Sequence, residues 1–547
     1  MSDQRILASS AVMAAGTVVS RLSGFVRSVL LVAALGGVLR ADLFAIANTL
    51  PNMVYILVAG GIFNAVLVPQ LVRRIKDDPD GGDAYASRIV TLSALFLGAV
   101  TILLMLLAPL LLRIYLSGRY LDPDRAAHLE TIVDLTRWCL PQVFFYGMYV
   151  LVGQILNARG RFGPMMWAPI ANNVVSVGML LLYLGIYGRA SRAETYAALP
   201  FGPELLLGLG STIGIAAQFV VLVPYLRASG FVYRPRFDFR DPELRHTLRL
   251  GLWTVLFVVV TQLAYLVVVR LASGGSVDGS VDGPAVTGYL IYSSGLLLMM
   301  VPHSVVTVSL ATAILPRVSA LAHDGDLRAV GRTVSSTLRT ALALVLPFAV
   351  LVPFVAGDVA NGLFGWGSTD PGLFTPTIAL FAPALVPFTI HYLMLRGFYA
   401  MEATRLAFFV QCAVSATNVV AALLLVGARP PVDTAPMLVA AYLISYLVGS
   451  AVSFVVLRRT LGDLEGAQLL RFAVRMAIVL VVAGLVTWGS QWALSGLGDE
   501  PHPLVSLARA GVSGLLGCLV VLAGARLLRV REVTSLLDTV AARLRRG

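Results

Sequence analysis

The sequence predicts an all-α polytopic membrane protein, because its composition is apolar and its apolar segments are long. Of 547 residues, 58% are hydrophobic and 13% are charged, whereas soluble domains carry about 25% charged residues. About fourteen apolar stretches are long enough for a helix to cross the roughly 30 Å of bilayer hydrocarbon. The first stretch is too long and too charged for a cleaved signal peptide, so we expect a retained helix.

The stretches follow one another with short polar connections, and two closely spaced pairs make their number approximate. They fall at 8–36, 41–72, 87–116, 131–158, 163–188, 203–226, 246–272, 287–316, 336–360, 372–402, 404–428, 434–457, 470–495 and 503–528.

The basic residues are unequally divided between the two sides of this arrangement. If the N-terminus is cytoplasmic, 29 of the 41 basic residues fall in cytoplasmic segments and ten in outer ones, while Arg21 and Arg27 lie inside the first stretch. The positive-inside rule therefore predicts that both termini are cytoplasmic. The formal charge of +12 is spread over loops, so it does not indicate nucleic-acid binding.

The chain also contains a parallel internal repeat. Four residues of the first half recur at an offset of 246: Pro141, Tyr146, Arg159 and Asn172 correspond to Pro387, Tyr392, Arg405 and Asn418. Six helices separate the copies, which predicts two six-helix lobes in parallel orientation with a central site between them. We expect the lobes at 1–230 and 231–462, two extra helices at 463–530, and a basic amphipathic cytoplasmic tail at 531–547.

Arg21 and Arg27 are the strongest candidates for a functional site. A charged residue near the bilayer centre costs roughly 2.5–3.5 kcal/mol, so such residues usually face a cavity. The arginine fork binds phosphate through two parallel hydrogen bonds and keeps its charge. The alternative is that each arginine reaches an interface or is paired inside the protein. We favour a cavity that binds an anion.

The second stretch carries further candidates. Asp42 opens this helix beside Arg40 and is a candidate capping or first-turn carboxylate, a candidate gating residue that pairs transiently with Arg27 or Arg40, or both. Pro51 bends the helix, and Asn52 after it is a candidate contact for the ligand.

The remaining polar residues give little indication of chemistry. His391, in the tenth stretch, is a candidate for proton coupling, against the alternative of a histidine that is only hydrogen-bonded. The chain has no Walker loop, HExxH or GxSxG motif. Its three cysteines, Cys139, Cys412 and Cys518, lack metal or redox spacing. We therefore expect neither an enzyme nor a cofactor or metal site.

Three segments carry a resemblance to a known family. They are SRLSGFVRSVL at 20–30, ADLFAIANTLPNMVYILVAGGIFNAVLVPQLV at 41–72 and QILNARGRFGPMMWAPIANN at 154–173. With the repeat and the fourteen stretches, these segments resemble the MurJ (MviN) family of lipid II flippases, within the multidrug/oligosaccharidyl-lipid/polysaccharide exporter superfamily.

The resemblance implies a flippase in the bacterial cytoplasmic membrane that moves lipid II, an undecaprenyl-diphosphate-linked peptidoglycan precursor, to the outer leaflet by alternating access. It implies that Arg21 and Arg27 bind the diphosphate, that Asp42 is the second-helix aspartate of the family, and that helices 13 and 14 form a groove for the polyprenyl tail. Proteins of cell-wall synthesis are further candidate partners.

The sequence departs from the family at two places. Family members often carry an arginine shortly after the Pro-Asn of helix 2, where this chain has Tyr55 and Ile56, and another in helix 8, where residues 295–300 read GLLLMM. The alternatives are therefore a paralogous flippase for another polyprenyl-linked glycan and a non-transporting scaffold of cell-wall synthesis. A drug or cation exporter of the same superfamily normally needs a cavity carboxylate, for which we find no candidate.

Overall fold

Every regular element that the structure describes is helical. This computed structural model describes residues 3–57, 82–237, 242–427, 429–498 and 501–534. Twelve segments in these ranges, from Asp83–Tyr115 to Pro503–Leu527, are long and apolar enough to cross a membrane. Helices Asp3–Leu35 and Leu39–Ile56 precede them. The prediction of an all-α polytopic membrane protein is confirmed.

The chain divides into two compact units, Met1–Leu290 and Ile291–Gly547. The helices of the first unit are α1 (Asp3–Leu35), α2 (Leu39–Ile56), α3 (Asp83–Leu106), α4 (Ala108–Tyr115), α5 (Ala126–Cys139), α6 (Gln142–Ala158), α7 (Gly163–Tyr187), α8 (Phe201–Val220), α9 (Leu222–Ala228) and α10 (Pro242–Ser276). Next come α11 (Tyr289–Pro302), which begins at the end of the first unit, a π-helical turn (His303–Val308), α12 (Ser309–His323), α13 (Leu327–Phe364), α14 (Thr375–Ala400), α15 (Thr404–Gly427), α16 (Thr434–Leu461), α17 (Gly466–Leu494) and α18 (Pro503–Leu527).

Polar contacts tie α10 to the first unit. The Gln262 side chain donates to the backbone oxygen of Met53 at 3.0 Å, and Arg270 donates to the backbone oxygen of Ile114 at 2.6 Å. The unit therefore extends beyond residue 230, where the repeat predicts the end of the first lobe. The contacts divide the chain after Leu290, whereas the internal repeat divides it after residue 230. The lobe boundaries stay a prediction.

Helices α17 and α18 pack on α13 within the second unit, and ion pairs join α13 to residues next to both helices near one end and to α18 near the other. Arg339 of α13 contacts Glu465 and Glu532, each at 3.0 Å, and Asp358 of α13 contacts Arg509 of α18 at 3.4 Å. In between, Gly517 of α18 lies close to α13 and α17. Of the expected tail at 531–547, residues 535–547 lie outside the described residues, as does the second stretch beyond residue 57.

Candidate functional site

The two arginines of α1 point away from the apolar face of their helix. Val19, Leu22 and Val26 are exposed, and at 100° per residue they share one face. By the same count, the mean direction of Arg21 and Arg27 is roughly opposite to that face. The Arg21 side chain is exposed and that of Arg27 is half-buried. An exposed apolar face is typical of lipid contact, so the arginines are turned away from it.

A buried asparagine of α7 holds α1 at this rotation. The Asn173 side-chain amide donates to the backbone oxygen of Ser20 at 2.9 Å and to the Ser23 hydroxyl at 2.8 Å. Both bonds lie close to Arg21 along α1. The direction of the arginine side chains therefore depends on a residue of another helix.

Facing polar side chains join α2 to α6 at two levels. Asn48 accepts a hydrogen bond of 2.8 Å from the Gln142 amide. Further along both helices, the ring of Tyr55 stacks on that of Tyr146, with centroids 4.6 Å apart and planes at 29°. Residues 48, 52 and 55 share a face of α2, so the half-buried Asn52 lies between the two contacts.

Each arginine has a tyrosine of this stack as its electrostatic neighbour. Arg21 interacts with Tyr55, and Arg27 interacts with Tyr146. The structure thus brings each of two guanidinium groups near one of a pair of phenols, and cations and neutral hydroxyl donors together can bind an anion such as phosphate. Sequence reasoning missed Tyr146 and Gln142 as site residues. Tyr146 was visible only as a repeated position, and Tyr55 only as a departure from the family pattern.

Asp42 is fully buried and accepts hydrogen bonds from the start of another helix. Its carboxylate accepts from the Ser276 hydroxyl and from the backbone N–H groups of Tyr289 at 3.0 Å and Leu290 at 2.6 Å. A side chain at Gly288 would meet this carboxylate, since a Cβ there would lie 1.8 Å from it. Asp42 lies in the first turn of its own helix, as expected, and caps α11.

The Asp42 contacts belong to a longer set of bonds, which we call the α2 latch: Asp42 with Ser276, Tyr289 and Leu290, Thr49 with Tyr289, and Met53 with Gln262. The Thr49 hydroxyl donates to the Tyr289 hydroxyl at 2.8 Å, which also bonds to the Tyr265 hydroxyl at 2.7 Å. One face of α2 is thereby hydrogen-bonded to α10 and to the first residues of α11.

Arg40 has partners other than Asp42. It lies 4.0 Å from Glu194 and donates to the backbone oxygen of Ala198 at 3.4 Å. The pKa of the Glu194 carboxyl lies below its usual range, because the backbone N–H and hydroxyl of Ser191 hydrogen-bond to it. The expected pairing of Asp42 with Arg27 or Arg40 is not present among the described contacts, which instead place Asp42 in the α2 latch.

His391 lies in the second unit, on α14. It is buried, the centroids of its ring and the Tyr446 ring are 5.6 Å apart, and it interacts with the Gln411 side chain and the Gly449 backbone. Four of the five predicted site residues therefore lie in the first unit. Of these, Arg21 and Arg27 lie on α1, and Asn52 lies on α2 near Tyr55. Asp42 lies at the start of α2.

Comparisons with known proteins agree with this architecture. A family model described as "MurJ: Lipid II flippase MurJ" matches residues 31–499, a range that begins after Arg21 and Arg27. A "Probable lipid II flippase MurJ" of Haemophilus influenzae is 24% identical over 404 residues, which are 71% of this chain and 75% of that protein. One of Bdellovibrio bacteriovorus is 25% identical over 495 residues, which are 88% and 87% of the two chains.

Solved structures of two kinds share the fold. One described as "Lipid II flippase MurJ, inward closed conformation" superposes with a TM-score of 0.69 and 17% identity over 95% of this chain and 99% of that one. An inward-facing multidrug resistance MATE family transporter of the MOP superfamily superposes with a TM-score of 0.63 and 17% identity over 82% of this chain and 96% of that one.

Proposed function

The chain belongs to the MurJ family, and from this premise we propose that it is a flippase that moves lipid II from the inner to the outer leaflet by alternating access. The observation that carries the proposal is the position of Arg21 and Arg27. Both point away from the exposed apolar face of α1, and each has one of the stacked tyrosines, Tyr55 or Tyr146, as its electrostatic neighbour. The substrate of such a protein is bound and released chemically unchanged.

The two arginines would hold the diphosphate of the substrate. Charged side chains at membrane depth are costly, and a bound anion offsets that cost for both partners. Arginine suits this task because its fork presents two parallel donors to phosphate oxygens at any physiological pH. The polyprenyl chain would stay in the bilayer while the diphosphate enters the protein.

Tyr55 and Tyr146 would complete the diphosphate site with uncharged donors. Tyr55 stands where family members often carry an arginine, and its neighbour in space is Arg21. A phenol hydroxyl donates a hydrogen bond to a phosphate oxygen without adding charge. Asn52, on the same face of α2, would add an amide donor. The site would then carry two positive charges, close to the charge of one diphosphate.

The α2 latch would act as the gate. Alternating access requires contacts that form in one state and break in the other, and hydrogen bonds to one buried carboxylate meet that requirement. We place the Asp42 end of the latch on the outer side, with both termini cytoplasmic, following the distribution of basic residues. Release of the Tyr289 and Leu290 N–H groups by Asp42 would accompany outward opening.

Two further roles are proposed for the second unit. Apolar residues of α13 and α17, including Val350, Phe354 and Leu480, line a cavity of about 470 Å³. This cavity suits the polyprenyl tail, which the sequence predicts beside the last two membrane helices, α17 and α18. We also propose that His391 couples transport to protons, because it is a buried titratable ring inside a membrane helix.

The absence of the two family arginines favours one alternative, a paralogous flippase for another polyprenyl-linked glycan. Reconstituted vesicles that contain lipid II or an undecaprenyl-diphosphate-linked glycan without the peptide separate the two. Faster translocation of lipid II by the wild-type protein would support the proposal. Translocation of the peptide-free glycan alone would replace it with the alternative.

A further inference from the structure

A second cavity lies in the first unit, on the far side of α6 from Tyr146. It has a volume of about 580 Å³, and its walls are mainly apolar side chains of α3, α6, α8 and α9: Val90, Ala94, Met148, Val152, Phe219 and Val223. At 100° per residue, Met148 and Val152 lie about 160° and 120° from Tyr146 around α6. This cavity is therefore separate from the arginine site.

One wall of the cavity comes from residues 229–237, a segment without regular secondary structure after a turn, which we call the strap. The Tyr233 hydroxyl bonds to the Thr91 hydroxyl at 3.0 Å. The backbone N–H groups of Arg234 and Arg236 donate to the hydroxyls of Ser87 at 3.4 Å and Thr91 at 3.2 Å. The strap is thus bonded to α3 at three points, and the cavity is a built feature of the unit.

Three arginines belong to the cavity lining or to the strap. Arg227 is part of the lining, and Arg234 and Arg236 extend from the strap. All three are exposed, and no ion pair with another described residue involves them. Nearby Arg159, in contrast, is paired with Asp83 and lies 5.3 Å from the Phe231 ring. The cavity therefore combines an apolar interior with arginines in its lining and in the adjoining strap that form no ion pair with another described residue.

We propose that this cavity binds an anionic phospholipid, with an acyl chain among the apolar residues and the phosphate at Arg227 and Arg236. A water-soluble anion would leave the apolar interior unused, and a neutral lipid would leave the arginines without a counter-charge. Clustered arginines at a membrane surface attract anionic lipids, and the long arginine stems can lie along apolar surface while their charges reach the phosphates.

A lipid in this position would support the helix that carries Tyr146. Met148 and Val152 would contact its acyl chain from one side of α6, while Tyr146 faces α2 from the other. The composition of the leaflet would thereby affect the stability of the first unit. This inference does not depend on which lipid-linked substrate the protein carries.

The test compares phosphatidylglycerol with phosphatidylcholine of the same acyl chains, added to the purified full-length protein in detergent. Thermal unfolding and native mass spectrometry report stabilisation and retained lipid. We expect phosphatidylglycerol to raise the Tm of the wild type more than phosphatidylcholine does. Arg227→Ala/Arg236→Ala should abolish this difference, and Val223→Trp, which fills the cavity, should reduce the phosphatidylglycerol that is retained.

Arg328→Ala/Arg332→Ala is the matched control, since it removes the same charge from exposed positions of α13 in the other unit. It should keep the difference between the two lipids. Equal stabilisation of the wild type by both lipids would overturn the proposal, as would an unchanged preference in Arg227→Ala/Arg236→Ala. Displacement of phosphatidylglycerol by undecaprenyl phosphate would also overturn it, because the cavity would then belong to the substrate tail.

Discussion

Tyr55 of α2 stacks on Tyr146 of α6, with ring centroids 4.6 Å apart and planes at 29°. The two residues are 91 positions apart in the chain, and each is the electrostatic neighbour of one arginine of α1. The stack therefore joins three helices at one point. Substitutions of Tyr55 can therefore separate the role of its hydroxyl from the role of its ring.

Tyr55→Phe keeps the stack and removes the hydroxyl. A hydrogen bond to a charged group contributes about 1.5–3 kcal/mol, so we expect lipid II translocation to fall roughly 10-fold to 100-fold with little change in Tm. Tyr55→Ala should lower both, because it also removes the ring contact. Full translocation by Tyr55→Phe would restrict the role of Tyr55 to packing.

Gly288→Ala tests the α2 latch. The added Cβ would lie 1.8 Å from the Asp42 carboxylate, so the bonds from Tyr289 and Leu290 to Asp42 cannot form without a backbone shift. We expect a loss of about 1–3 kcal/mol in the free energy of unfolding. We also expect a higher proportion of molecules in which cysteines introduced on the outer side react with thiol reagents. Gly118→Ala, where a Cβ would meet no atom within 4 Å, is the control and should behave like the wild type.

Arg339→Ala tests the attachment of helices α17 and α18. Arg339 is buried and contacts both Glu465 and Glu532. Its removal takes the Arg339 guanidinium away from two mostly buried carboxylates, so we expect a destabilisation of about 3–5 kcal/mol in thermal unfolding. Arg459→Ala, on an exposed side chain of α16, should change stability by less than about 0.5 kcal/mol. Similar Tm values for the two variants would mean that the ion pairs do not hold these helices.

Deletion of residues 535–547 separates a flippase from a scaffold. The truncated chain keeps Glu532 and so keeps the contact with Arg339. A flippase should retain most of its translocation, because none of the residues of the proposed site is deleted. A scaffold that recruits partners through its basic tail should lose its role in cell-wall synthesis, measured as the growth of cells that depend on the truncated chain.

The helices could be predicted from the sequence because each membrane span is a long apolar run. The predicted stretches 163–188 and 503–528 correspond to Gly163–Tyr187 and Pro503–Leu527. Breaks within spans were missed, since the predicted stretch 131–158 covers two helices that separate at Pro141. Proline inside an apolar run does not by itself reveal where a helix ends.

The site could be predicted only in part. Charge at membrane depth is unusual enough to single out Arg21 and Arg27 from the sequence. The partners of Asp42 lie 234 to 248 residues away, and nothing local to Asp42 indicates them. Tyrosines are common in membrane helices, so the contact between Tyr55 and Tyr146 becomes visible only when α2 and α6 are packed together.

The most direct test of the central claim is leaflet translocation of lipid II in vesicles that contain the wild type, Arg21→Ala, Arg27→Ala or the double variant. The account predicts translocation by the wild type and its loss in each alanine variant at unchanged Tm. Arg→Lys at either position should impair translocation, because lysine cannot form the bidentate contact. Wild-type rates in the double alanine variant would contradict the account.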